Sequence, residues 1–145
     1  MGNFFPESMP IPGGNMDTKP FWEYCKKHEL RFQQCTRCNA FRFHPQPVCW
    51  RCQSFDFEWV QSRGEGHVYS KVVVHHPAHP ATRDVVPYNV VIVEMDDCGQ
   101  QRVTSNIVDT PNDEIKIGMP VELVWEDIND EVALYRFKPK QAARA

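Results

Sequence analysis

No stretch of about 18 consecutive apolar residues occurs in this 145-residue sequence, so we expect no membrane-spanning helix. The motifs G-x-S-x-G and H-E-x-x-H and a phosphate-cradling glycine loop are also missing, so the catalytic and nucleotide sites that use them are not indicated. The net charge is only −3, which by itself indicates no polyanionic partner. The remaining composition is that of a globular domain, and its twelve prolines and six cysteines argue against a helix bundle.

Four of the six cysteines form two closely spaced pairs. The first pair reads Cys35-Thr-Arg-Cys38, and after a ten-residue spacer the second reads Cys49-Trp-Arg-Cys52. Two C-x-x-C turns this close together predict one tetrahedral metal site. Four protein sulfurs leave no open position for water or substrate, so the site would be structural. Zinc is the expected metal, and iron in a rubredoxin-like four-sulfur cage has the same geometry.

Two disulfides or free redox thiols are the alternative interpretation of these pairs. A redox site needs only one C-x-x-C, and the sequence shows no secretory signal peptide. We therefore expect reduced thiols and a cytoplasmic protein. Cys25 and Cys98 lie outside the pairs and have no evident base beside them, so we interpret both as ordinary free cysteines.

The pattern of the chain predicts a mainly β protein with three segments. Residues 1–29 hold an arm rich in Pro, Gly and Asn, followed by a short helix that ends near residue 28. Residues 30–60 form a metal ribbon in which aromatic and polar residues alternate, as in short strands. Residues 61–140 suit a five-stranded Greek-key barrel of the oligonucleotide/oligosaccharide-binding (OB) type. We place its strands at 67–75, 88–95, 101–107, 121–125 and 132–137.

The helix aromatics and the ribbon arginines indicate a surface that binds another protein. Phe21 and Trp22 lie on a helix too short to be stable alone, so they must pack either on the ribbon or on a partner. From residue 31 to residue 52 the charged residues are four arginines and no acid. Among these, we predict Arg37 and Arg42 at the rim of a protein interface.

Nucleic acid is a second class of partner, because zinc ribbons and OB barrels both bind it. However, residues 61–137 contain 13 acids against 6 bases, which is the wrong sign for following phosphates. A third alternative is an independent hydrolase or lyase that uses the histidine-rich stretch His67, His75, His76 and His79. No carboxylate lies at a suitable spacing to complete such a site.

A series of short motifs in this order resembles the DUF35 family. The likeness runs from about Lys19 to Pro139. The sequence departs from the family pattern at Asn39 and Trp50, where Gly and Pro are frequent, but all four cysteines are present. The motifs are Phe21-Trp22, Leu30, Cys35-x2-Cys38-x10-Cys49-x2-Cys52, Gly64-x-Gly66-x-Val68-Tyr69-Ser70, Pro87-Tyr88, Gly118-Met119-Pro120-Val121 and Tyr135-Arg136-Phe137-Lys138-Pro139.

The resemblance implies an N-terminal helix, a rubredoxin-like zinc ribbon and a C-terminal OB fold. It also implies an accessory subunit without catalytic residues that binds a thiolase-superfamily enzyme, such as a thiolase or a sterol side-chain aldolase, or a MaoC-like enoyl-CoA hydratase. From this we expect a hetero-oligomer, no activity of the chain alone, and acyl-CoA at the shared interface. The alternative is a single-stranded nucleic-acid-binding module.

Overall fold

The structure is a computed structural model that describes residues 3–141. The first two residues of the predicted arm and the last four residues of the chain lie outside this range. In the described part, no helix is long and apolar enough to cross a membrane. The elements are α1 (Lys19–Lys26), β1 (Arg31–Cys35), β2 (Phe41–Arg42), β3 (Phe57–Gln61), β4 (Glu65–Val74), β5 (Tyr88–Met95), β6 (Arg102–Ser105), β7 (Pro120–Asp127) and β8 (Ala133–Pro139).

Helix α1 begins after a polar turn and ends at a left-handed residue. The side-chain Oδ1 of Asn15 accepts hydrogen bonds from the backbone N–H groups of Asp17 and Thr18, both at 2.9 Å. Pro20 lies in the first helical turn, where its missing N–H costs nothing. His28 has φ 62°, which no helix continues through, so α1 ends at residue 26, earlier than predicted.

The ribbon is a three-stranded antiparallel sheet with the order β2-β1-β3. Strand β1 pairs with β2 at Gln33 and Arg42, and it pairs with β3 along its whole length, from Arg31 opposite Gln61 to Cys35 opposite Phe57. The sheet therefore holds the first cysteine pair at one end, next to the start of β3.

The remaining strands form a curled antiparallel sheet with the order β6-β5-β4-β7-β8. Its two outer strands meet: Ile107 bridges Phe137 in parallel, and the Ser105 hydroxyl donates to the Tyr135 carbonyl at 2.8 Å. This contact closes the sheet toward the predicted OB barrel. All five strands are confirmed, and their ends lie within about two residues of the predicted positions.

One apolar core runs through all three predicted segments. It contains residues of α1, the base of the ribbon and the barrel, all essentially inaccessible to solvent; among them are Phe21, Leu30, Phe32, Val91 and Phe137. The end of the ribbon has a separate, much smaller cluster of Cys35, Ala40 and Cys49. The segment boundaries at 29/30 and 60/61 stay a prediction.

Candidate metal centre and ribbon face

Both cysteine pairs lie on tight turns with the same backbone pattern. In the first, the Asn39 N–H donates to the Cys35 carbonyl at 2.9 Å; in the second, the Gln53 N–H donates to the Cys49 carbonyl at 3.0 Å. Asn39 and Gln53 have φ of 64° and 61°, so each turn closes on a left-handed residue. Asn adopts this conformation more readily than most residues, whereas Gln does so less often.

The four sulfurs converge on one point. The Sγ atoms of Cys35 and Cys52 are 3.5 Å apart, those of Cys38 and Cys49 are 3.6 Å apart, and all four lie within 4.8 Å of one another. Sulfurs placed tetrahedrally at the usual Zn–S distance of about 2.3 Å would be about 3.8 Å apart. The donor atoms and their spacing therefore fit a four-coordinate zinc ion.

Backbone N–H groups around these turns stabilise thiolates. The N–H of Cys38 lowers the pKa of the Cys35 thiol to about 6, and the N–H of Cys52 lowers the pKa of the Cys49 thiol. At Cys52 the N–H of Ser54 lowers the pKa, but desolvation and the neighbouring sulfurs outweigh it and raise the pKa to about 11. Without a cation, four adjacent thiolates repel one another; a bound dication would favour the deprotonated form of all of them.

Comparison with known proteins places the ribbon and barrel in one family. The profile described as the ChsH2 rubredoxin-like zinc ribbon domain matches residues 22–58, and the profile of the ChsH2 C-terminal OB-fold domain matches residues 59–126. A DUF35 domain-containing scaffold protein of Methanothermobacter thermautotrophicus is 32% identical over 132 residues, which cover 86% of this chain and 97% of that protein. The chain belongs to the DUF35 family.

Two further relatives are more similar in sequence. A probable enoyl-CoA hydratase alpha subunit of Thermomonospora curvata is 40% identical over 130 residues. That match takes in 90% of this chain but only 40% of the length of the hydratase subunit. A chain of the solved structure described as the Ltp2-ChsH2(DUF35) aldolase is 40% identical, with a TM-score of 0.80, covering 89% of this chain and 98% of that chain.

The four residues predicted to bind a partner have different surroundings in this DUF35 chain. Phe21 is fully buried against Phe43 and Tyr135, so it belongs to the core and not to the surface. Trp22 is half-buried and stacks on Tyr135. Of the two predicted possibilities, packing within the chain or on a partner, Phe21 therefore packs within the chain.

The two predicted rim arginines also differ. The Arg37 side chain is 73% exposed and lies 3.3 Å from the Asp56 carboxylate. Arg42 is buried, and its Nε–H is shared between the Gln33 Oε1 at 2.9 Å and the Gln46 carbonyl at 3.0 Å. Of the four residues, Trp22 and Arg37 remain predicted contacts at an exposed or half-exposed position.

The histidine-rich stretch does not form a cluster of catalytic geometry. His75 and His76 are exposed, while the Nδ1 of His79 accepts a hydrogen bond from the Ala81 N–H at 3.1 Å and caps a single 3-10 turn. His67 lies apart, 3.4 Å from Asp96 and 3.6 Å from Glu94. Within residues 3–141, the cysteine cluster is the only group of three or more such ligands close enough to hold a metal.

A surface that the sequence reasoning missed lies on one side of the ribbon sheet. We call it the ribbon face. Its aromatic rings follow one another, with centroids 5.5 Å apart for Tyr24 and Trp59 and 5.9 Å apart for Trp59 and Phe57. Arginines lie at both ends: the Arg31 guanidinium is 4.8 Å from the Tyr24 ring, and that of Arg42 is 4.9 Å from the Phe57 ring. The signal was present in the sequence, because residues 57 and 59 alternate onto one side of a strand.

Thiol reactivity should separate the four metal-site cysteines from the other two. Burial raises the pKa of both Cys25 and Cys98 to about 12, so at pH 8 both are neutral, weak nucleophiles. We expect the metal-loaded protein to react slowly with a disulfide reagent, a chelator to expose four thiols that react before Cys25 and Cys98, and denaturant to raise the total to the six in the sequence. Rapid reaction of a fifth thiol before denaturation would contradict this assignment.

Proposed function

We propose that this chain is a non-catalytic accessory subunit that binds and supports a thiolase-superfamily enzyme acting on acyl-CoA, either a thiolase or a sterol side-chain aldolase. The observation that carries the proposal is the likeness to the DUF35 chain of the Ltp2-ChsH2 aldolase, which holds over 98% of that chain at a TM-score of 0.80. A likeness over a whole chain, rather than over one module, supports a shared role as a subunit.

In this proposal Cys35, Cys38, Cys49 and Cys52 hold one zinc ion through four sulfurs. The ion supplies no reaction chemistry, because four protein ligands leave no position for substrate. Its contribution is to fix the end of the ribbon, which has only a very small core of its own. A reducing cytoplasm, as predicted from the sequence, would keep these thiols available. Elemental analysis distinguishes zinc from iron.

A MaoC-like hydratase is the second candidate partner, and the enoyl-CoA hydratase alpha subunit favours it. The match with this chain covers 40% of the length of that subunit. Acyl-CoA at the interface with either partner is an extension of the same proposal.

The proposal is tested by capture from the native host. We expect the full-length chain to retain a thiolase-like or hydratase-like enzyme in a fixed ratio, to show no acyl-CoA turnover alone, and to raise the activity of the captured enzyme. Mass spectrometry identifies the partner and the acyl-CoA assays measure the activity.

The independent-enzyme alternative is tested in the same complex. Replacing His75, His76 and His79 together by Ala should leave the partnered rate within about tenfold, or about 1.4 kcal/mol of activation free energy. A fall of several orders of magnitude in an intact complex would place these histidines in an active site. Retention of nucleic acid, with no enzyme, would instead favour the nucleic-acid-binding alternative.

A further inference from the structure

Arg42 carries hydrogen-bond donors that nothing in the described chain accepts. The residue is 4% exposed, and its Nη1 and Nη2 atoms are sealed from solvent without a partner. These two nitrogens hold four of the five N–H donors of the guanidinium. They are the only buried side-chain polar atoms of residues 3–141 in this condition.

A sealed guanidinium without an acceptor is costly, because the group has lost its hydration and gained nothing in return. The single Nε–H is shared between two neutral acceptors, the Gln33 Oε1 and the Gln46 carbonyl oxygen. Among residues 3–141, no ion pair includes Arg42, whereas Arg31 is paired with Glu29 at 3.2 Å. The ribbon therefore holds one buried positive charge that lacks a counter-ion.

The position of Arg42 indicates the direction from which an acceptor can arrive. The Phe57 ring lies over its guanidinium at 4.9 Å, and Phe57 is itself 36% exposed on the ribbon face. A ring at the edge of the ribbon face therefore covers one side of the guanidinium. The neighbouring rings of Trp59 and Tyr24 offer the aromatic surroundings that protein interfaces favour.

We propose that the ribbon face docks a segment of the partner enzyme that carries an Asp or Glu, whose carboxylate pairs with Nη1 and Nη2 of Arg42 when Phe57 moves aside. A carboxylate matches the planar fork of a guanidinium with two parallel hydrogen bonds. The charge is complementary as well, because an acidic side chain supplies the counter-ion that Arg42 lacks among residues 3–141. This inference rests on the proposed function and identifies the chemistry of its interface.

A single-stranded nucleic acid could also stack on these rings and present a phosphate. The charges favour the protein segment, because Arg31 and Arg37 are already paired with Glu29 and Asp56. The barrel beside the ribbon has 13 acids against 6 bases from residue 61 to residue 137, so no positive track continues from it.

The test measures association and dissociation rates of the full-length chain with the captured partner enzyme. We expect Arg42→Met to dissociate at least tenfold faster, with an association rate within about twofold, because a buried charge pair acts mainly on dissociation. The dissociation rate of Arg42→Lys should lie between those of the unmodified chain and Arg42→Met, since an ammonium group keeps the charge but cannot form two parallel hydrogen bonds. Arg51→Met, which removes an exposed ribbon arginine, is the control for total charge and should leave dissociation nearly unchanged.

Thermal unfolding of the isolated variants separates docking from a purely structural role. If the donors await a partner, Arg42→Met should be at least as stable as the unmodified chain; a structural role predicts a loss of stability with unchanged dissociation. An unchanged dissociation rate in Arg42→Met would overturn the inference. The inference would also be overturned if Arg42→Met stopped binding a fluorescent single-stranded oligonucleotide but still formed the enzyme complex normally. If the unmodified chain captures no enzyme, the proposed function itself fails.

Discussion

Removal of the metal will unfold the end of the ribbon and leave the barrel folded. The end of the ribbon contains a cluster of only Cys35, Ala40 and Cys49, whereas the barrel has its own closed sheet and a large core. Structural zinc contributes about 10–16 kcal/mol of apparent binding free energy in zinc-finger peptides, far more than three small side chains can replace. We therefore expect chelation to remove amide protection from residues 35 to 57 and to preserve it in β4 to β8, as measured by hydrogen exchange.

A single ligand substitution should have the same effect. Cys38→Ser removes one of four sulfurs and should lower metal content and ribbon protection together. Thr36→Ala is the matched control, because Thr36 lies in the same turn, is exposed and offers no sulfur. Well under one metal ion per folded chain in the unmodified protein would defeat the assignment, and so would uniform loss of protection across the barrel.

Glu126→Gln will destabilise the barrel by about 3–5 kcal/mol, because it leaves a buried charge unpaired. Glu126 and Arg136 are 7% and 10% exposed, and the Arg136 Nε donates to the Glu126 Oε2 at 2.7 Å. The same guanidinium donates from Nη1 to the Asn106 Oδ1 at 2.9 Å. The Phe4 N–H donates to the other oxygen of Glu126 at 3.1 Å, so the substitution should also loosen the N-terminal arm.

An exposed pair on the same two strands gives the control for this prediction. Lys138 and Glu122 are 3.5 Å apart and 49% and 38% exposed, so Glu122→Gln should change the free energy of unfolding by less than about 1 kcal/mol. Denaturant unfolding measures both variants, and limited proteolysis reports release of the arm. If Glu122→Gln and Glu126→Gln lowered the free energy of unfolding equally, burial of the Glu126–Arg136 pair would contribute nothing to stability.

Local sequence patterns predicted the secondary structure closely, because turns and the two faces of a strand are determined by residues that are near one another in the sequence. The cysteine spacing fixes two tight turns, and alternation of apolar residues fixes which side of a strand faces inward. Thus the cysteine cluster, the helix and five barrel strands all follow from the sequence. Gly66 shows where such reasoning weakens: it lies inside β4, where a Cβ atom would meet the Glu94 carbonyl oxygen at 2.5 Å, and no local pattern indicates this close approach.

The burial of single side chains could not be predicted, since it depends on contacts distant in sequence. Phe21 is covered by Tyr135, more than one hundred residues away, so its place in the core required the whole chain to fold. Arg42 is likewise buried through Phe57 from another strand. Composition assigned both residues to a surface, because aromatic residues on a short helix and arginines in an acid-free segment occur at interfaces.

The pairing of β3 also limits how such subunits can recombine during evolution. The two family profiles meet between residues 58 and 59, which lies within β3, and all five residues of that strand pair with β1. Trp59 and Val60, just after the join, pack on the core shared with α1 and the barrel. A genetic crossover at this point would combine half of β3 from each parent. Few pairs of parents would supply halves that fit both the pairing with β1 and the packing on the core. Ribbon and barrel should therefore be inherited as one unit.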